Sequence, residues 1–429
     1  MTRLADDPQR LALSAELHAR PFPVIAVPAR AALLAMRHPG DGTHERAAGR
    51  AHLERLLDRF GVQNRPLPGA THFSGPLGRR WLKWESHTEF DTWMLISEGG
   101  AEEDAPFSAA LLNMFPADWL ADLPGQRITS ALIRVERMPP DPQQVSPLLE
   151  SWFQGESLAV SQVLDGDAVA ASDFRLDDGD HARIAVFVAP GCGPHRTGRV
   201  VQRLAEIETY SKMSLLGLML ARETGPELSR IEAEMTRLTA AMADDDAPAE
   251  ATLQRLLSLA SALEALSTRS SFRYGATGAY AEIVRQRIGV LRETRFLGRQ
   301  TVGEFMTRRW EPAMRTAAAA ERRLLQMTER GGRASNLLRT RVDVERSAQN
   351  QRLLESMDRR ADLQLRLQET VEGLSVVAIS YYAVSLCLYL LAPLAGAGLV
   401  AKPWLATLVT PVVVAVVWAM VRRIRRRMH

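Results

Sequence analysis

Residues 373–401 read GLSVVAISYYAVSLCLYLLAPLAGAGLVA and contain no charged side chain. After Lys402, residues 404–421 read WLATLVTPVVVAVVWAMV and are again free of charge. About 20 apolar residues in a helix cross a hydrocarbon core about 30 Å thick. The sequence therefore predicts two transmembrane helices, at about 374–394 and 404–421, with a tight turn that includes Pro393 and Pro403.

Positive charge flanks this hairpin at both ends. Arg359, Arg360 and Arg366 precede the first segment, five arginines follow the second, and the loop between them carries only Lys402. The positive-inside rule then predicts a two-pass protein of the cell inner membrane with both termini in the cytoplasm. The first residues show no apolar core of a signal peptide. The predicted contacts with lipid headgroups are Arg422, Arg423, Arg425, Arg426 and Arg427.

A pair of buried helices in a soluble core is the alternative to a membrane hairpin. Such helices would pass the same test of length and apolarity. The arginine cluster would then have no role, because charged side chains are seldom buried without a partner. We therefore prefer the membrane interpretation.

Composition limits the remaining possibilities. The formal net charge is +3, so a basic face for nucleic acid is not expected and we predict no nucleic-acid partner. There are two cysteines, Cys192 and Cys387, and the second falls in the first apolar segment. This excludes a disulfide scaffold and a cysteine zinc site.

The rest of the chain divides by pattern. Alternating runs predict strands at 81–93, 128–137, 157–164 and 182–189, and a helix is predicted at 43–60 and another near 106–112. From about residue 198 the pattern becomes helical, with breaks at Gly225-Pro226 and at the polar turn near Asp244, and with helices at 253–266 and 279–310. Residues 333–391 read as one long helix with an imperfect heptad pattern.

These patterns predict a mixed α/β (α+β) cytoplasmic domain, a long helical stalk and a C-terminal two-helix transmembrane hairpin. The predicted domains are a cytoplasmic α/β domain (1–198), a helical bundle and stalk (199–371), the transmembrane helices (372–421) and a basic cytoplasmic tail (422–429).

The first transmembrane segment has a polar face. At 100° per residue, hydroxyl-bearing and small side chains share one side, and aliphatic side chains occupy the other. Gln368 and Glu372 lie just before this face, at the predicted cytoplasmic mouth. The face either lines a pore in a homo-oligomer or packs against neighbouring helices. Its hydroxyl-bearing members are Ser375, Tyr381, Tyr382, Ser385 and Tyr389.

Several stretches resemble a bacterial family of uncharacterised membrane-anchored proteins that is defined by a domain of unknown function. The resemblance covers nearly the whole chain and brings no established activity. The stretches that carry it are Glu16–Pro21, Trp84–Phe90, Glu206–Tyr210, Leu337–Asp343 and Gln364–Tyr382.

The order of the predicted parts is similar to the CorA-type magnesium channel superfamily. In that superfamily a cytoplasmic α/β domain and a stalk helix lead into the first of two membrane helices, which surrounds the pore of a homopentamer. The resemblance implies a homo-oligomer of CorA-like architecture, with five copies by analogy. The superfamily signature Gly-Met-Asn is absent here, where residues 391–396 read LAPLAG, so magnesium transport is not implied.

Histidines and carboxylates cluster in the first part of the chain. If 81–93 is one strand, then Glu85, His87 and Glu89 point to one face together with Asp91. With His18 or His44 nearby, this face could hold a divalent cation. The alternative is a hydrogen-bonded polar face, which we favour because no fixed ligand spacing is present.

The leading functional hypothesis is an integral membrane protein of CorA-like shape that conducts ions, with its first transmembrane helix lining the axis. The alternative is a non-conducting membrane-anchored scaffold or sensor whose cytoplasmic domain binds a protein partner. An enzyme acting at the membrane surface ranks third, because no catalytic set is visible. The lipid bilayer and further copies of the chain are the expected partners.

Overall fold

The computed structural model describes residues 7–10, 13–14, 21–38, 43–67, 69–99, 105–242, 249–396 and 402–428. The fold is a mixed α/β structure with a long helix and a C-terminal apolar helix. Contacts divide the chain into two compact units. Unit 1 comprises Met1–Ala247 and Gln254–Ser335, and unit 2 comprises Pro248–Leu253 and Asn336–His429.

Unit 1 contains a nine-stranded sheet with the order β2-β3-β4-β1-β5-β8-β7-β6-β9. Strands β5 and β8 pair in parallel, and the other neighbours pair antiparallel. The strands are β1 (Ala29–Arg37), β2 (His72–Leu77), β3 (Arg80–Ser86), β4 (Phe90–Glu98), β5 (Gln126–Arg137), β6 (Ala159–Val163), β7 (Ala168–Ser172), β8 (Ala182–Val188) and β9 (Thr294–Arg295).

Helices make up most of the remaining described chain. In the part of the chain that the structure describes, four short 3-10 helices supplement them, one of which spans Ala109–Met114. The α-helices are α1 (Thr43–Arg59), α2 (Ala117–Ala121), α3 (Val145–Trp152), α4 (Pro194–Ala241), α5 (Ala249–Leu291), α6 (Val302–Arg309), α7 (Glu311–Gly396) and α8 (Lys402–Met428).

The sheet is covered on both faces. On one face Leu33 and Ile133 pack with Val200 and Leu204 of helix α4. On the other face Trp84, Trp93 and Leu95 pack with Leu53, Leu56 and Leu57 of helix α1. Alternate residues of each strand supply the two cores, as the period of two in a β-strand requires.

The predicted helix 43–60 is confirmed, and Gly61 follows it with a φ of +63°. The predicted strands 128–137, 157–164 and 182–189 are confirmed with small changes of boundary. The predicted helix near 106–112 is a 3-10 helix. The predicted long helix 333–391 is part of the 86-residue helix α7.

Other predictions of secondary structure were wrong. The predicted strand 81–93 is two strands, β3 and β4, which form a hairpin with a turn at 87–89. The predicted break at Gly225-Pro226 is absent, because Leu228 and Ile231 continue the buried face of α4. The predicted helix 279–310 ends at Leu291, and the short strand β9 and helix α6 follow it.

Candidate functional site

Two helical stretches are long and apolar enough to span a membrane, judged by length and composition. One belongs to the helical run Val302–Leu391, and the other is Ala406–Ile424. Only 6% of each apolar window is buried within the chain. A helix in the core of a soluble protein would be mostly buried, so this apolar surface requires a cover from outside the chain.

Helix α8 packs on one side of helix α7 in unit 2. Val376, Ser380 and Val384 of α7 line a shared groove with Thr410 and Val414 of α8. Ser380 is buried at this contact. Valines make up the rest of the lining, apart from Tyr381, so valine and hydroxyl-bearing side chains are mixed in this groove.

The hydroxyl-bearing face of α7 lies away from this contact. Tyr389 is nine residues beyond Ser380, which is about two and a half turns and therefore the opposite side of the helix. Tyr382 and Ser375 lie on the same side as Tyr389, and all three are exposed in the single chain. Of the other predicted face residues, Tyr381 lines the groove shared with α8 and Ser385 is half-buried.

The two predicted mouth residues contact each other. The amide of Gln368 donates to Glu372 Oε1 at 3.3 Å. Glu372 also lines a cavity of about 550 Å³ together with Glu369, Trp418 and Arg422, so it faces the side of α7 that α8 occupies.

The basic end of α8 begins with an aromatic contact. The Arg422 guanidinium lies 5.0 Å from the ring centre of Trp418. Arg422 and Arg423 are exposed, as expected for contacts with headgroups. The side chains of Arg425, Arg426 and Arg427 lie outside the described residues.

The predicted polar face of a single strand is divided by the hairpin. Glu85 and His87 line one cleft. Asp91 points to the opposite face of the sheet, where its Oδ2 lies 3.3 Å from His38 Nε2. In the hairpin register Glu85 pairs with Thr92 and Ser86 pairs with Asp91, so Asp91 shares the face of Ser86 and not that of Glu85.

Glu89 lies in the turn and binds helix α5. Its carboxylate accepts hydrogen bonds from Arg273 and from the hydroxyl of Tyr280, the latter at 3.0 Å. Burial, and then the neighbouring Glu89 carboxylate, raise the pKa of Tyr280, so the phenol stays protonated and donates. Glu89 therefore fixes α5 to the sheet.

The cleft that contains Glu85 and His87 has a volume of about 170 Å³. It opens between strands β3 and β4 and helices α4 and α5. Lys83 Nζ lies 3.2 Å from Glu85 Oε1. On the helical side, the Gln202 amide donates to Glu206 Oε1 at 2.8 Å, and Arg287 binds the other oxygen of Glu206.

An aromatic wall borders the same cleft. The rings of His87 and Phe90 stack with 4.3 Å between their centres. Tyr210 meets both rings edge-on, at 5.9 Å and 5.8 Å. The cleft thus combines charged side chains with an aromatic wall, an arrangement typical of sites for small molecules.

Among the described residues, no group of three or more histidine, cysteine, aspartate or glutamate side chains could hold a metal ion. His18 lies outside the described residues, and His44 begins helix α1 with a side chain that is not described. The metal site that combines these histidines with Glu85 and His87 stays a prediction.

A family model described as "Protein of unknown function (DUF3422)" matches residues 5–428. The chain belongs to the DUF3422 family. The resemblance to an uncharacterised family defined by a domain of unknown function is thereby confirmed. A comparison with curated proteins found no match.

Sequence reasoning missed four polar residues of the cleft in this DUF3422 protein. Lys83 could have been found, because it lies two residues before Glu85 on a predicted strand and so shares its face. Gln202 and Glu206 interrupt an otherwise apolar helix face one turn apart, which is a weaker signal. Arg287 belongs to a helix rich in charge, where no local pattern distinguishes it.

Proposed function

We propose that this DUF3422 protein is an integral protein of the bacterial inner membrane, held by a two-pass hairpin with both termini in the cytoplasm. The exposed apolar surfaces of α7 and α8 support the membrane location. The arginines on both flanks support the orientation, because lysine and arginine concentrate on the cytoplasmic side. Arg422 over Trp418 is typical of the membrane–water boundary.

We further propose that the protein is a homo-oligomer of CorA-like shape that conducts ions along an axis lined by α7. One observation carries this proposal. Helix α8 lies beside Val376, Ser380 and Val384 of α7, which leaves Tyr382 and Tyr389 on the opposite side. The second helix would then lie outside the first, and the hydroxyl-bearing face would face the axis.

The hydroxyl groups of that face favour its orientation toward the axis of the oligomer. A polar hydroxyl in hydrocarbon costs free energy unless it has a hydrogen-bond partner. Water in a pore, or a hydroxyl of a neighbouring copy, supplies such a partner and lipid tails do not. The side chains of Tyr382 and Tyr389 are 73% and 82% exposed in the single chain, so their partners lie outside it.

A non-conducting membrane-anchored scaffold or sensor is the second candidate. The same hydroxyl face can close a dry bundle, since serine and tyrosine side chains hydrogen-bond across membrane helices. The cleft of unit 1 favours this candidate, because a binding site in the unit that carries the sheet suits a sensor.

Ion flux from reconstituted liposomes separates the two candidates. The purified chain is placed in vesicles, and gradients of Mg²⁺, K⁺ and Cl⁻ are followed with ion-sensitive dyes. The conducting protein gives flux of at least one ion that changes in Tyr382→Ala and in Ser385→Leu. Leu390→Ala, which alters the aliphatic side, is the matched control and keeps the wild-type flux.

Absence of flux for all three ions from a stable oligomer would overturn the conducting function and favour the scaffold. If Tyr382→Ala and Leu390→Ala changed the ion flux equally, conduction would not depend on the hydroxyl-bearing face. This result would contradict the assignment of that face to the axis.

A further inference from the structure

We propose that the cleft between strand β3 and helix α4 binds a free α-amino acid with an apolar side chain. The cleft belongs wholly to unit 1. Ligand binding in this cleft is therefore independent of membrane insertion and of ion conduction.

A buried acceptor without a partner belongs to a residue that lines this cleft. Gln202 lines the cleft and is only 4% exposed, yet its Oε1 has no hydrogen-bond partner among the described residues. The amide nitrogen of Gln202 donates to Glu206, and this bond fixes which way the oxygen points. A buried acceptor without a partner costs about 1–3 kcal/mol. A ligand that donates a hydrogen bond, such as an ammonium group, would satisfy it.

An under-used donor lies on the opposite wall. Lys83 is 3% exposed, and its one described contact is the ion pair with Glu85 at 3.2 Å. An ammonium group has three donor hydrogens, so this pair leaves donors for a further acceptor. Lysine is rarely buried this far unless its charge is matched. A carboxylate of the ligand would supply the missing acceptor.

The fixed charges of the cleft cancel. Lys83 faces Glu85, and Arg287 binds Glu206, which gives two cations and two carboxylates. A ligand with a large net charge, such as a polyphosphate or a divalent cation, would break one of these pairs and leave a buried charge unmatched. A zwitterion adds one charge of each sign and keeps the balance.

The remaining lining residues determine which side chain the bound amino acid carries on its α-carbon. Leu33, Phe90 and Met94 contribute apolar surface, and His87 and Tyr210 form the aromatic wall. A volume of about 170 Å³ admits a small metabolite and is below the range of about 300–1,000 Å³ for drug-sized ligands. An apolar side chain on the α-carbon would pack against this wall, while the ammonium and carboxylate groups of the ligand bind the polar side chains of the cleft.

The test uses the full chain in detergent and three ligands of one carbon skeleton. L-leucine carries both charged groups, 4-methylpentanoate lacks the amine and 3-methylbutylamine lacks the carboxylate. Calorimetric titration is expected to give saturable binding of L-leucine and at least about tenfold weaker binding of either analogue, because each loses a charged hydrogen bond. L-valine, L-methionine and L-phenylalanine extend the panel to other apolar side chains.

Variants then assign the binding to the cleft. Gln202→Leu and Lys83→Met are each expected to weaken binding of the amino acid by at least about tenfold. Lys212→Met, which removes a lysine of helix α4 outside the cleft lining, is the control and keeps wild-type affinity.

Three results would overturn the proposal. They are no saturable binding of any of the four amino acids, equal binding of L-leucine and its two analogues, and undiminished binding in both cleft variants. The ligand series on the wild-type chain keeps the proposal falsifiable if a cleft variant does not fold.

Discussion

At the residue scale, His52 of helix α1 makes a reciprocal contact with Trp119 of helix α2. His52 Nε2 donates to the carbonyl oxygen of Trp119 at 2.9 Å, and Trp119 Nε1 donates to the carbonyl oxygen of His52 at 3.0 Å. The remaining ring nitrogen, Nδ1, accepts from Arg55 at 2.6 Å. The imidazole must therefore be neutral in the folded chain, because a proton on Nδ1 would face the guanidinium.

Acid is expected to destabilise unit 1 through this histidine. Burial lowers the pKa of His52 below its ordinary value of 6.5, and burial lowers the pKa of His181 as well. The unfolded chain then binds more protons than the folded chain as the pH falls through about 6.5, so the free energy of unfolding falls in the same window. Thermal unfolding between about pH 7.5 and pH 5.5 measures this loss.

The variant His52→Gln isolates the contribution of one histidine. Its amide can still donate to Trp119 but does not titrate in this range. We expect its unfolding midpoint to depend less on pH than that of the wild type. Identical pH dependence in the two proteins would contradict the role assigned to His52.

Gly198 marks a close approach of two backbones. A Cβ added there would lie 1.6 Å from the carbonyl oxygen of Pro23. Gly198→Ala is therefore expected to lower the free energy of unfolding by about 1–3 kcal/mol, since overpacking displaces the backbone.

The control for Gly198→Ala is Gly275→Ala in the open part of helix α5. No atom lies within 4 Å of a Cβ at Gly275 among the described residues, so this change should stabilise the helix by up to about 1 kcal/mol. Chemical denaturation measures both variants. The account is contradicted if Gly198→Ala is as stable as Gly275→Ala.

At the scale of elements, the turn between β3 and β4 is held to helix α5 by one buried ion pair. Glu89 is buried, and it binds Arg273 and Tyr280 of that helix. Arg273→Met would leave the carboxylate without its cation, and we expect a loss of about 3–5 kcal/mol in the free energy of unfolding.

Arg269→Met supplies the matched control on the same helix. Arg269 pairs with Glu227 at 3.3 Å, and both side chains are largely in solvent. Such surface pairs contribute about 0–1 kcal/mol. If both methionine variants unfold at the same denaturant concentration as the wild type, the Glu89 contact does not fix α5 to the sheet.

Elements with a one-sided pattern could be predicted from the sequence. Helix α1 was predicted, because Leu53, Leu56 and Leu57 recur on one face at helical spacing. Strand β1 was missed, since it is central in the sheet and buried on both faces. Its apolar run therefore lacks the alternation that distinguishes a half-buried strand from a helix.

Breaks in elements were harder to predict than the elements themselves. A proline in a helix costs about 3 kcal/mol in an isolated chain, and Pro226 was read as a boundary for that reason. Burial of Leu228 and Ile231 beyond it outweighs that cost. The hairpin at 87–89 contains no glycine or proline, so no local signal separated β3 from β4.

The candidate sites, too, could be predicted only in part from the sequence. The helical period alone predicts the face of Ser375, Tyr381, Tyr382, Ser385 and Tyr389. It did not indicate that Tyr381 lines the groove shared with α8. The cleft forms only where β3, α4 and α5 meet in the fold. Two of its lining residues, Lys83 and Gln202, are more than 100 residues apart along the chain. Of the cleft residues, the sequence analysis named Glu85 and His87, and strand alternation would also have indicated Lys83.

At the scale of the whole molecule, the central claim is that copies of α7 face one another through their hydroxyl-bearing side. Tyr389 and Leu390 offer a matched pair for testing it. They are adjacent in sequence, at similar depth in the apolar segment, and 82% and 72% exposed in the single chain. They point about 100° apart around the helix, so they distinguish the two faces.

The most direct measurement is disulfide cross-linking in native membranes with Tyr389→Cys and Leu390→Cys, each in a chain with Cys192→Ser and Cys387→Ser. The account predicts that mild oxidation links Tyr389→Cys chains into covalent dimers and leaves Leu390→Cys chains as monomers. Efficient cross-linking of Leu390→Cys with none of Tyr389→Cys would place the aliphatic side at the axis and would contradict the account.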